Sequence, residues 1–441
     1  MSLYEKDSIV ALATPKGVGA LAIIRVSGRS LTSLFKGLTH IKKVKPRYAY
    51  YKPLFSLDGE VLDHAVITFY RGPFSFTGED VFEVSCHGGE IISKSIINDL
   101  VDRGCRYADP GEFSKRAFLN GKINLSEAEA INNIIKAPSK AGAQKGLMEL
   151  SGSASNHLVT IKESLLELLT IIEHELDFVE NEITETSNDA FKEKVDMCLE
   201  LIGKVTEGSL VGNKLKSGFK VALVGPPNAG KSSLFNALLG YEHSIISKEK
   251  GTTRDALEVF VEINGLPVVL IDTAGHWSGK DKLDALGIKK TNKIIQEADI
   301  LVAVDEKNPK EFINSFSINK KPVIFVSSKS DIKNPSKLSS SFINISSIKN
   351  ENIDLLLTEL STVIKSSFFG EDVFLCTSRQ IVLIKKVEDS LLGLSQNLAD
   401  TDLVERAFVL RSGADLMREV FGEIYNEDVL NNIFKGFCVG K

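Results

Sequence analysis

The segment GPPNAGKS at residues 225–232 constrains the fold of this chain more than any other feature. It is a complete G-x-x-x-x-G-K-S phosphate loop, with an apolar run at 219–224 before it and a helical pattern after it. In that context the glycines let successive backbone N–H groups surround an anion at a helix N-terminus. A chance match in a glycine-rich turn would lack both flanking elements. The sequence therefore predicts a mostly parallel, doubly wound α/β domain.

Residues in and after this loop indicate that the bound nucleotide carries a guanine base. Lys231 is placed to reach the β- and γ-phosphates, and the Ser232 hydroxyl is placed to bind Mg²⁺. Asp272 ends an apolar strand just before Gly275, whose N–H can meet the γ-phosphate. Asp331, in the segment SSKSD, is placed to accept two hydrogen bonds from guanine that adenine cannot reproduce.

Two later positions complete the predicted nucleotide site. Thr253, in the segment GTTRD, is a candidate second Mg²⁺ ligand, and the N–H of Ser347 is a candidate contact to the base. The full set of predicted nucleotide contacts is Asn228, Ala229, Gly230, Lys231, Ser232, Ser233, Ser247, Thr252, Thr253, Asp272, Thr273, Ala274, Gly275, Ser328, Lys329, Asp331, Ser346 and Ser347.

Length and composition restrict the class of protein. A chain of 441 residues is too long for one core and predicts two or three domains. No run of 18 apolar residues predicts a membrane span, and the N-terminus lacks the apolar core of a signal peptide. The five scattered cysteines form no C-x-x-C pair, so we expect reduced thiols in a cytoplasmic protein.

The net charge of −5 means that any nucleic-acid contact must use a local basic patch. The sequence contains two candidate basic patches, one comprising Lys42, Lys43, Lys45 and Arg47 and the other comprising Lys214, Lys216 and Lys220. Either patch could contact nucleic acid, although a solvated surface is the commoner outcome for such a group of charges.

The residue patterns divide the chain into four parts. Residues 1–120 mix short strands with turns, whereas residues 125–204 have helical periodicity. Strands and guanine-nucleotide motifs occupy residues 216–370, and helical periodicity returns from Arg379 to the end. One helical domain interrupted by an inserted nucleotide-binding domain explains this order, and two unrelated helical segments remain the alternative.

Several segments resemble the MnmE (TrmE) family of bacterial and organellar tRNA-modification GTPases. ALATPKGVGALAIIRVSG at 11–28 resembles the family's opening segment, and the segments at 75–89 and 109–130 resemble its two N-terminal signatures. HELDF at 174–178 resembles the helical-domain signature, and the end at 427–441 resembles the C-terminal C-x-G-K tail. The resemblance covers essentially the whole chain.

The resemblance implies a multidomain fold. It has an α+β N-terminal folate-binding-like domain, an all-α central domain, and an inserted α/β Ras-like P-loop GTPase domain. We predict the N-terminal folate-binding and dimerisation domain at 1–122, the two parts of the helical domain at 123–214 and 371–441, and the GTPase domain at 215–370.

The resemblance also implies function and partners. It implies a homodimer formed through the N-terminal domains and a heterotetramer with an FAD-dependent, MnmG (GidA)-like subunit. This complex installs a carboxymethylaminomethyl or aminomethyl group at C5 of the wobble uridine, U34, of certain tRNAs. GTP hydrolysis drives a conformational change in it. A reduced folate, 5-formyl- or methylene-tetrahydrofolate, binds the N-terminal domain and supplies the one-carbon unit.

The family's folate contacts fall on Arg25, Glu83, Lys122 and Lys441 of this sequence. A pterin edge suits the Glu83 carboxylate, and the cationic side chains can pair with the glutamate tail. Arg25 and Glu83 could instead be surface residues at strand ends. Cys438 is either a reactive thiol in the same site or a buried structural cysteine, and the general burial of cysteine favours the second.

The resemblance assigns a K⁺ ion to Asn228, together with Ser247, Glu249 and Thr252 acting mainly through backbone or hydroxyl oxygens. The cation would stand where other GTPases insert an arginine finger, and would stabilise charge developing between the β- and γ-phosphates. The alternative is that Asn228 is only a residue with good turn propensity. Ser232 and Thr253 would hold Mg²⁺.

Two positions depart from the family pattern. Ser328 replaces the asparagine of the guanine-reading motif, which bonds the base and braces the phosphate loop, so a loss of roughly 1–3 kcal/mol is expected. Asp284 aligns with the glutamate that orients the attacking water, and its carboxylate is shorter by about 1.5 Å. Asp284 is therefore predicted to be catalytic together with Lys231. Asp281 is a less favoured substitute, and an ordinary solvated charge at Asp284 is the alternative.

These departures leave more than one function open. The first is an active, K⁺-stimulated GTPase that serves tRNA modification. The second is a GTP-binding scaffold of the same complex with slow hydrolysis. An RNA-associated assembly GTPase without modification chemistry is a third, and the folate-type signatures argue against it. The interpretation as a folate-dependent transferase acting alone has little support, because no separate nucleophile or base is evident.

Overall fold

In the computed structural model the description covers residues 7–151, 155–177, 188–240, 257–273, 284–316, 318, 321–332, 341–369 and 376–440. The chain divides into two compact units, one comprising residues 1–132 with 418–441 and the other comprising residues 133–417. The C-terminal tail therefore belongs to the same unit as the N-terminal strands. The domain boundaries that the resemblance implies stay predictions.

The first unit is built on a six-stranded sheet with the order β3-β4-β5-β2-β1-β6. All neighbours are antiparallel except β1 and β6, which are parallel. The strands are β1 (Ser8–Leu12), β2 (Leu21–Gly28), β3 (Ala49–Phe55), β4 (Val61–Tyr70), β5 (Asp80–His87) and β6 (Cys105–Tyr107).

Helices cover this sheet because its strands alternate apolar and polar residues. On one face, Phe35 and Leu38 of α1 (Thr32–Thr39) and Ile96 and Leu100 of α2 (Glu90–Asp102) join the buried core. A smaller core joins Phe118 of α3 (Glu112–Leu119) to Phe434 of α14 (Glu427–Lys435). This second core holds the C-terminal tail in place.

The second unit contains the nucleotide-binding sheet, with the order β12-β11-β10-β7-β9-β8. Only β8 is antiparallel to its neighbour, which confirms the predicted, mostly parallel sheet. Its strands are β7 (Phe219–Val224), β8 (Leu257–Ile263), β9 (Leu266–Asp272), β10 (Ile300–Asp305), β11 (Val323–Ser327) and β12 (Ile343–Asn344). Its helices are α8 (Lys231–Leu239), α9 (Asp284–Glu297), α10 (Pro309–Ile313) and α11 (Ile353–Phe368).

A helix that precedes this sheet in the sequence packs against a helix that follows it. Ser395 of α12 (Ser378–Gln396) donates a hydrogen bond of 2.7 Å to Asp196 of α7 (Asn188–Ser217). This is the arrangement expected of a helical domain interrupted by an insertion. The remaining helices of this unit are α5 (Lys140–Leu150) and α6 (Ser155–Asp177), while α4 (Leu125–Lys136) and α13 (Leu403–Phe421) include residues of both units. Among the residues described, none of these helices has the length and apolar character needed to cross a membrane.

Candidate functional site

The phosphate loop lies between β7 and α8, as its sequence predicts. A Cβ atom added at Gly225 would lie 2.0 Å from the carbonyl oxygen of Val304 in β10. Only glycine therefore lets the loop leave the sheet at this point. Asn228 has a backbone φ of 61°, in the left-handed region that asparagine adopts more readily than most residues, and its side chain is exposed.

Lys231 is held against this loop. Its ammonium group donates hydrogen bonds to the carbonyl oxygens of Gly225 at 2.9 Å and of Pro226 at 2.8 Å. The side chain is buried, and this burial lowers the pKa of Lys231 although the negative charge of Asp272 opposes the shift. A phosphate bound in the loop would add negative charge beside the ammonium group and favour its charged form.

Ser232, a predicted Mg²⁺ ligand, contacts Asp272 at the end of the parallel strands. The hydroxyl of Ser232 donates to Oδ2 of Asp272 at 3.0 Å. The hydroxyl of Thr273 donates to the carbonyl oxygen of Leu223 at 2.7 Å and so ties the end of β9 to β7. Hydroxyl and carboxylate oxygens are suitable ligands for Mg²⁺, which usually binds one or two protein ligands together with substrate phosphates. Ser232 and Asp272 thus fit that ion.

The segment predicted to bind the guanine base lies beside the same loop. Ser328 is buried, and its hydroxyl donates to the carbonyl oxygen of Ala229 at 2.7 Å. The serine hydroxyl therefore reaches the phosphate loop itself, while the expected loss in nucleotide affinity at this position stays a prediction. Asp331 is half-buried in a short turn, and Lys329 forms an ion pair with Glu306 at 3.2 Å.

Ser346 and Ser347 follow β12 in a turn that leads back towards α11. Ser346 is fully buried, and its N–H and carbonyl groups bond to Glu351 at 3.2 and 3.0 Å. Its hydroxyl accepts a hydrogen bond from the N–H of Lys349 at 3.2 Å. These bonds make Ser346 a structural support of the turn, while Ser347 beside it is half-buried. Ser233 is exposed in the first turn of α8 and Gly230 caps that helix with a φ of 91°.

The folate-type residues of the first unit form a second polar site. Arg25 of β2 and Glu83 of β5 face each other in the antiparallel register, and Nε and an Nη of Arg25 lie 2.8 and 2.7 Å from Oε1 of Glu83. Arg25 also donates to the carbonyl oxygen of Gly440 at 3.3 Å and lies 5.5 Å from the ring centre of Phe76. Both members of the ion pair are mid-strand, so the strand-end interpretation is wrong.

Comparison with known proteins identifies the chain. Its residues 8–122 match the model of the TrmE N-terminus of GTP-binding proteins, and residues 125–438 match the model of the MnmE helical domain. It is 35% identical to the tRNA modification GTPase MnmE of Aquifex aeolicus over 99% of this chain and 100% of that protein. The corresponding protein of Aliarcobacter butzleri is 34% identical over the full length of both. The chain belongs to the MnmE family of tRNA-modification GTPases.

The MnmE assignment confirms the resemblance that the sequence motifs carry. Among solved structures, the G domain of the T. maritima FeoB iron transporter aligns with 34% of this chain and 97% of its own, at 27% identity and a TM-score of 0.25.

Several predicted MnmE site residues lie outside the described residues. They are Ser247, Glu249, Thr252, Thr253, Ala274, Gly275 and Lys441. The same holds for the side chain of Asp284, the first residue of α9, and for Asp281. The roles of these residues stay predictions. Lys122 is exposed, and a Cβ atom added at Gly78 would lie 3.3 Å from its side chain.

Cys438 differs from its expected environment. It is exposed, whereas the other four cysteines, Cys86, Cys105, Cys198 and Cys376, are buried, and all five are free thiols. The expectation of a buried structural cysteine is wrong at this position. The neighbouring Phe437 fills the core beside Phe434 instead, and this turns Cys438 towards solvent.

A buried ionic network close to Arg25 is missing from the sequence prediction. The hydroxyl of Ser27, two residues after Arg25, donates to Glu79 at 2.8 Å, and Arg116 donates to Glu79 at 3.1 Å. Arg116 also bonds to Glu112 at 3.0 Å. Burial alone would raise the pKa of Glu112, but hydrogen bonds from Arg106, the Asp109 N–H and Arg116 outweigh it and lower that pKa. Clustered charges in the segments 75–89 and 109–130 are the only sequence signal for this network.

A cavity of about 760 Å³ lies in the first unit beside the loop at 14–19. Ser93 and Lys94 of α2, Tyr107 and the tail residue Val439 also line it. Arg25, Glu83 and Lys122 are not among its lining residues. The cavity and the Arg25–Glu83 pair are therefore two separate features of this unit.

Proposed function

We propose that this chain binds and hydrolyses GTP and that hydrolysis serves modification of the wobble uridine of certain tRNAs. The observation that carries the proposal is the closed phosphate loop, in which Lys231 bonds to the loop carbonyls and Ser328 bonds to Ala229. It occurs in a chain of the MnmE family, whose members in Aquifex aeolicus and Aliarcobacter butzleri are tRNA modification GTPases.

Each predicted residue of the nucleotide site would have its own role. Lys231 would leave the loop carbonyls for the β- and γ-phosphates, and Asp331 would accept hydrogen bonds from guanine. Ser232 and Asp272, 3.0 Å apart, would hold Mg²⁺, directly or through water. When bound, that ion neutralises charge on the β- and γ-phosphate oxygens. Asp284, at the start of α9, would orient the attacking water.

A K⁺ site at Asn228 is part of the same proposal. Asn228 is exposed on the loop and has a backbone φ of 61°. A cation held there with oxygens of Ser247, Glu249 and Thr252 would stabilise charge between the β- and γ-phosphates.

We further propose that the Arg25–Glu83 pair contributes to a site for a reduced folate. The carboxylate oxygen Oε1 of Glu83 accepts from Arg25, and the guanidinium group of Arg25 lies between that carboxylate and the rings of Phe76 and Phe113. A pterin would share or replace Arg25 as the donor to Glu83. Lys122 and Lys441 would pair with the glutamate tail. The folate would supply a one-carbon unit when bound.

The partners follow the family pattern. We propose a homodimer through the N-terminal unit, where the sheet face that carries Arg25 and Glu83 also exposes Tyr51 and Val66, with exposed fractions of 68% and 42%. We propose that the dimer acts in the cytoplasm with an FAD-dependent, MnmG-like subunit, and that together they install an aminomethyl or carboxymethylaminomethyl group at C5 of U34.

Reconstitution tests this function. The protein would be incubated with an MnmG-like subunit, FAD, GTP, K⁺, a reduced folate, an amine donor and an unmodified tRNA transcript, and the nucleosides would then be analysed by mass spectrometry. The proposal predicts a C5-substituted uridine that is absent without GTP. Unmodified U34 under all conditions, with an MnmE of known activity as positive control, would contradict it.

One alternative has a specific observation in its favour. Asp284 is shorter than the glutamate of the family by about 1.5 Å, and a misplacement near 1 Å can slow a reaction about 100-fold. The chain would then be a GTP-binding scaffold of the same complex with slow hydrolysis. The intact Ser328–Ala229 bond fits both the active enzyme and the scaffold, because both must bind GTP.

A further inference from the structure

A basic surface in the first unit lies outside the sites described above. Between Arg29 and Leu57 the sequence contains no Asp or Glu, although the chain as a whole carries a net charge of −5. The cations of this segment are Arg29, Lys36, Lys42, Lys43, Lys45, Arg47 and Lys52. Four of them, at positions 42–47, stand in the connection from α1 to the edge strand β3.

The four cations sit on an ordered turn. The N–H of Lys45 donates to the Tyr50 hydroxyl at 2.7 Å, and the N–H of Arg47 donates to the carbonyl oxygen of Phe69 at 2.7 Å. The guanidinium group of Arg47 donates to the carbonyl oxygen of Phe74 at 3.1 Å. These bonds fix the backbone of the turn against β3 and β4 and hold the Arg47 guanidinium group in place without a ligand.

The four cationic side chains are exposed and lack acidic partners. Within the part of the chain that the structure describes, none of Lys42, Lys43, Lys45 and Arg47 forms an ion pair with a carboxylate. Unneutralised cations on a protein of net negative charge make a local positive field. Such a field attracts a polyanion.

Aromatic side chains accompany these charges. Tyr48 is 54% exposed, the ammonium group of Lys45 lies 5.8 Å from its ring centre, and its ring meets that of Tyr50 edge-on at 4.7 Å. Phe74, whose carbonyl group binds Arg47, is 71% exposed. An exposed ring held in place beside cations can stack on an unpaired base while the cations neutralise its phosphates.

We propose that this basic turn, comprising Lys42, Lys43, Lys45, Arg47, Tyr48 and Phe74, binds unpaired nucleotides of the tRNA substrate. The inference rests on the proposed function, because it assigns a direct RNA contact to the chain that modifies the anticodon loop. It names a surface of the first unit, whereas the predicted GTP site belongs to the second unit. Unpaired RNA is favoured over a membrane because the exposed rings are few and stand singly among cations, which suits stacking and not insertion of an apolar face.

Titration with labelled RNA tests this surface. Fluorescence anisotropy would measure the binding of the full-length protein to an unmodified tRNA transcript with U34, over a range of salt concentrations. In the variant with Lys42, Lys43, Lys45 and Arg47 changed to Gln, the slope of log K against log salt should become shallower by about 3, because each contact to a single strand contributes about 0.7. Tyr48→Ala should weaken binding about 10-fold without changing the slope, and Tyr48→Phe should bind like the wild type.

A matched control separates this surface from the overall charge. Lys94, Lys365, Lys385 and Lys386 are exposed lysines outside the basic turn in sequence, and changing all four to Gln alters the net charge by the same amount. The control variant should bind tRNA within about twofold of the wild type, a change well below the 10-fold effect expected for stacking. An equal loss in both variants would overturn the proposal.

Shorter probes identify the kind of RNA. The Tyr48→Ala effect should persist with a 17-nucleotide anticodon stem–loop and vanish with a blunt duplex of the same stem. An effect on the duplex equal to that on the stem–loop, or loss of binding to anionic vesicles with tRNA binding intact, would overturn the proposal. GTP hydrolysis by the same variants should stay at the wild-type rate. Absence of hydrolysis in the wild type would count against the proposed GTPase and leave the RNA comparison readable.

Discussion

The hydroxyl group of Ser328 donates a hydrogen bond of 2.7 Å to the carbonyl oxygen of Ala229, although the two residues are 99 positions apart. This bond joins the guanine-reading end of β11 to the phosphate loop after β7. Both residues are buried, so breaking this bond would leave the hydroxyl and carbonyl groups without a partner and away from water, which costs free energy. The serine thus makes the contact to the phosphate loop that the resemblance assigns to asparagine at this position.

Ser328→Ala should weaken nucleotide binding. The substitution leaves the buried Ala229 carbonyl group without this donor, which costs about 1–3 kcal/mol, or about a 5- to 150-fold loss in affinity. Titration with fluorescent GDP measures it. Ser328→Asn, which restores the family residue, should bind at least as tightly as the wild type. Equal affinities for wild type and Ser328→Ala would refute the brace.

Gly225→Ala should damage the nucleotide-binding sheet. A Cβ atom at this position would lie 2.0 Å from the Val304 carbonyl oxygen, a contact that forces β7 and β10 apart. We expect the free energy of unfolding to fall by about 3 kcal/mol or more, as for an overpacked core, and GDP binding to be lost. Gly393→Ala is the matched control, because open space surrounds Gly393 in α12 and alanine favours a helix by up to about 1 kcal/mol. Urea unfolding of both variants is the measurement, and equal stabilities would contradict this packing.

Glu83→Gln should weaken binding of 5-formyl-tetrahydrofolate and spare GDP binding. The change removes a charge-assisted hydrogen-bond acceptor, worth about 1.5–3 kcal/mol, which corresponds to about 10- to 150-fold in affinity. Isothermal calorimetry with the folate measures the loss. Glu60→Gln, at an exposed acid of the same unit, should bind like the wild type. Unchanged folate affinity in Glu83→Gln would remove the Arg25–Glu83 pair from the site.

The stability of the first unit should fall in acid because of Glu112. The folded protein holds the pKa of Glu112 below its ordinary value of 4.5. The unfolded chain then binds more protons than the folded chain as the pH falls, so the stabilisation is complete above pH 4.5 and is lost as the pH falls through the lower, folded pKa.

Glu112→Gln tests this pH dependence. It should lower the free energy of unfolding at pH 7 by about 3 kcal/mol, because Arg106 and Arg116 lose a buried partner. The deficit relative to the wild type should shrink as the pH is lowered towards 3. Urea unfolding followed at both pH values is the measurement. A deficit that stays constant with pH would mean that packing, and not ionisation, stabilises this cluster.

The sequence predicts best where the functional residues are close in the chain. Lys231 and Ser232 follow their loop directly, so a local motif suffices to place both. The Ser328–Ala229 bond requires β11, β10 and β7 to be neighbours in the sheet, and the order of the motifs implies this arrangement. The bond itself could not be predicted from the replacement of asparagine by serine, because it depends on how far the serine side chain reaches.

The second site was predictable only in part. The resemblance names Arg25 and Glu83, yet their ion pair depends on the register between β2 and β5, and a one-residue slip would place them on opposite faces. The network of Glu79, Glu112 and Arg116 likewise depends on contacts between distant segments. The exposure of Cys438 was missed because the average preference of cysteine for burial carries no information on its neighbour Phe437.

GTP hydrolysis by the purified protein, measured in K⁺ buffer and in Na⁺ buffer with fluorescent GDP binding as the control, would decide whether this chain is an active GTPase. We expect hydrolysis that K⁺ stimulates strongly and that Asn228→Ala makes insensitive to the choice of cation. We also expect Asp284→Glu to raise the rate, by up to about 100-fold if the shorter carboxylate misplaces the water. Tight GDP binding with no hydrolysis in either salt, unchanged by Asp284→Glu, would contradict the claim that this chain is an active GTPase.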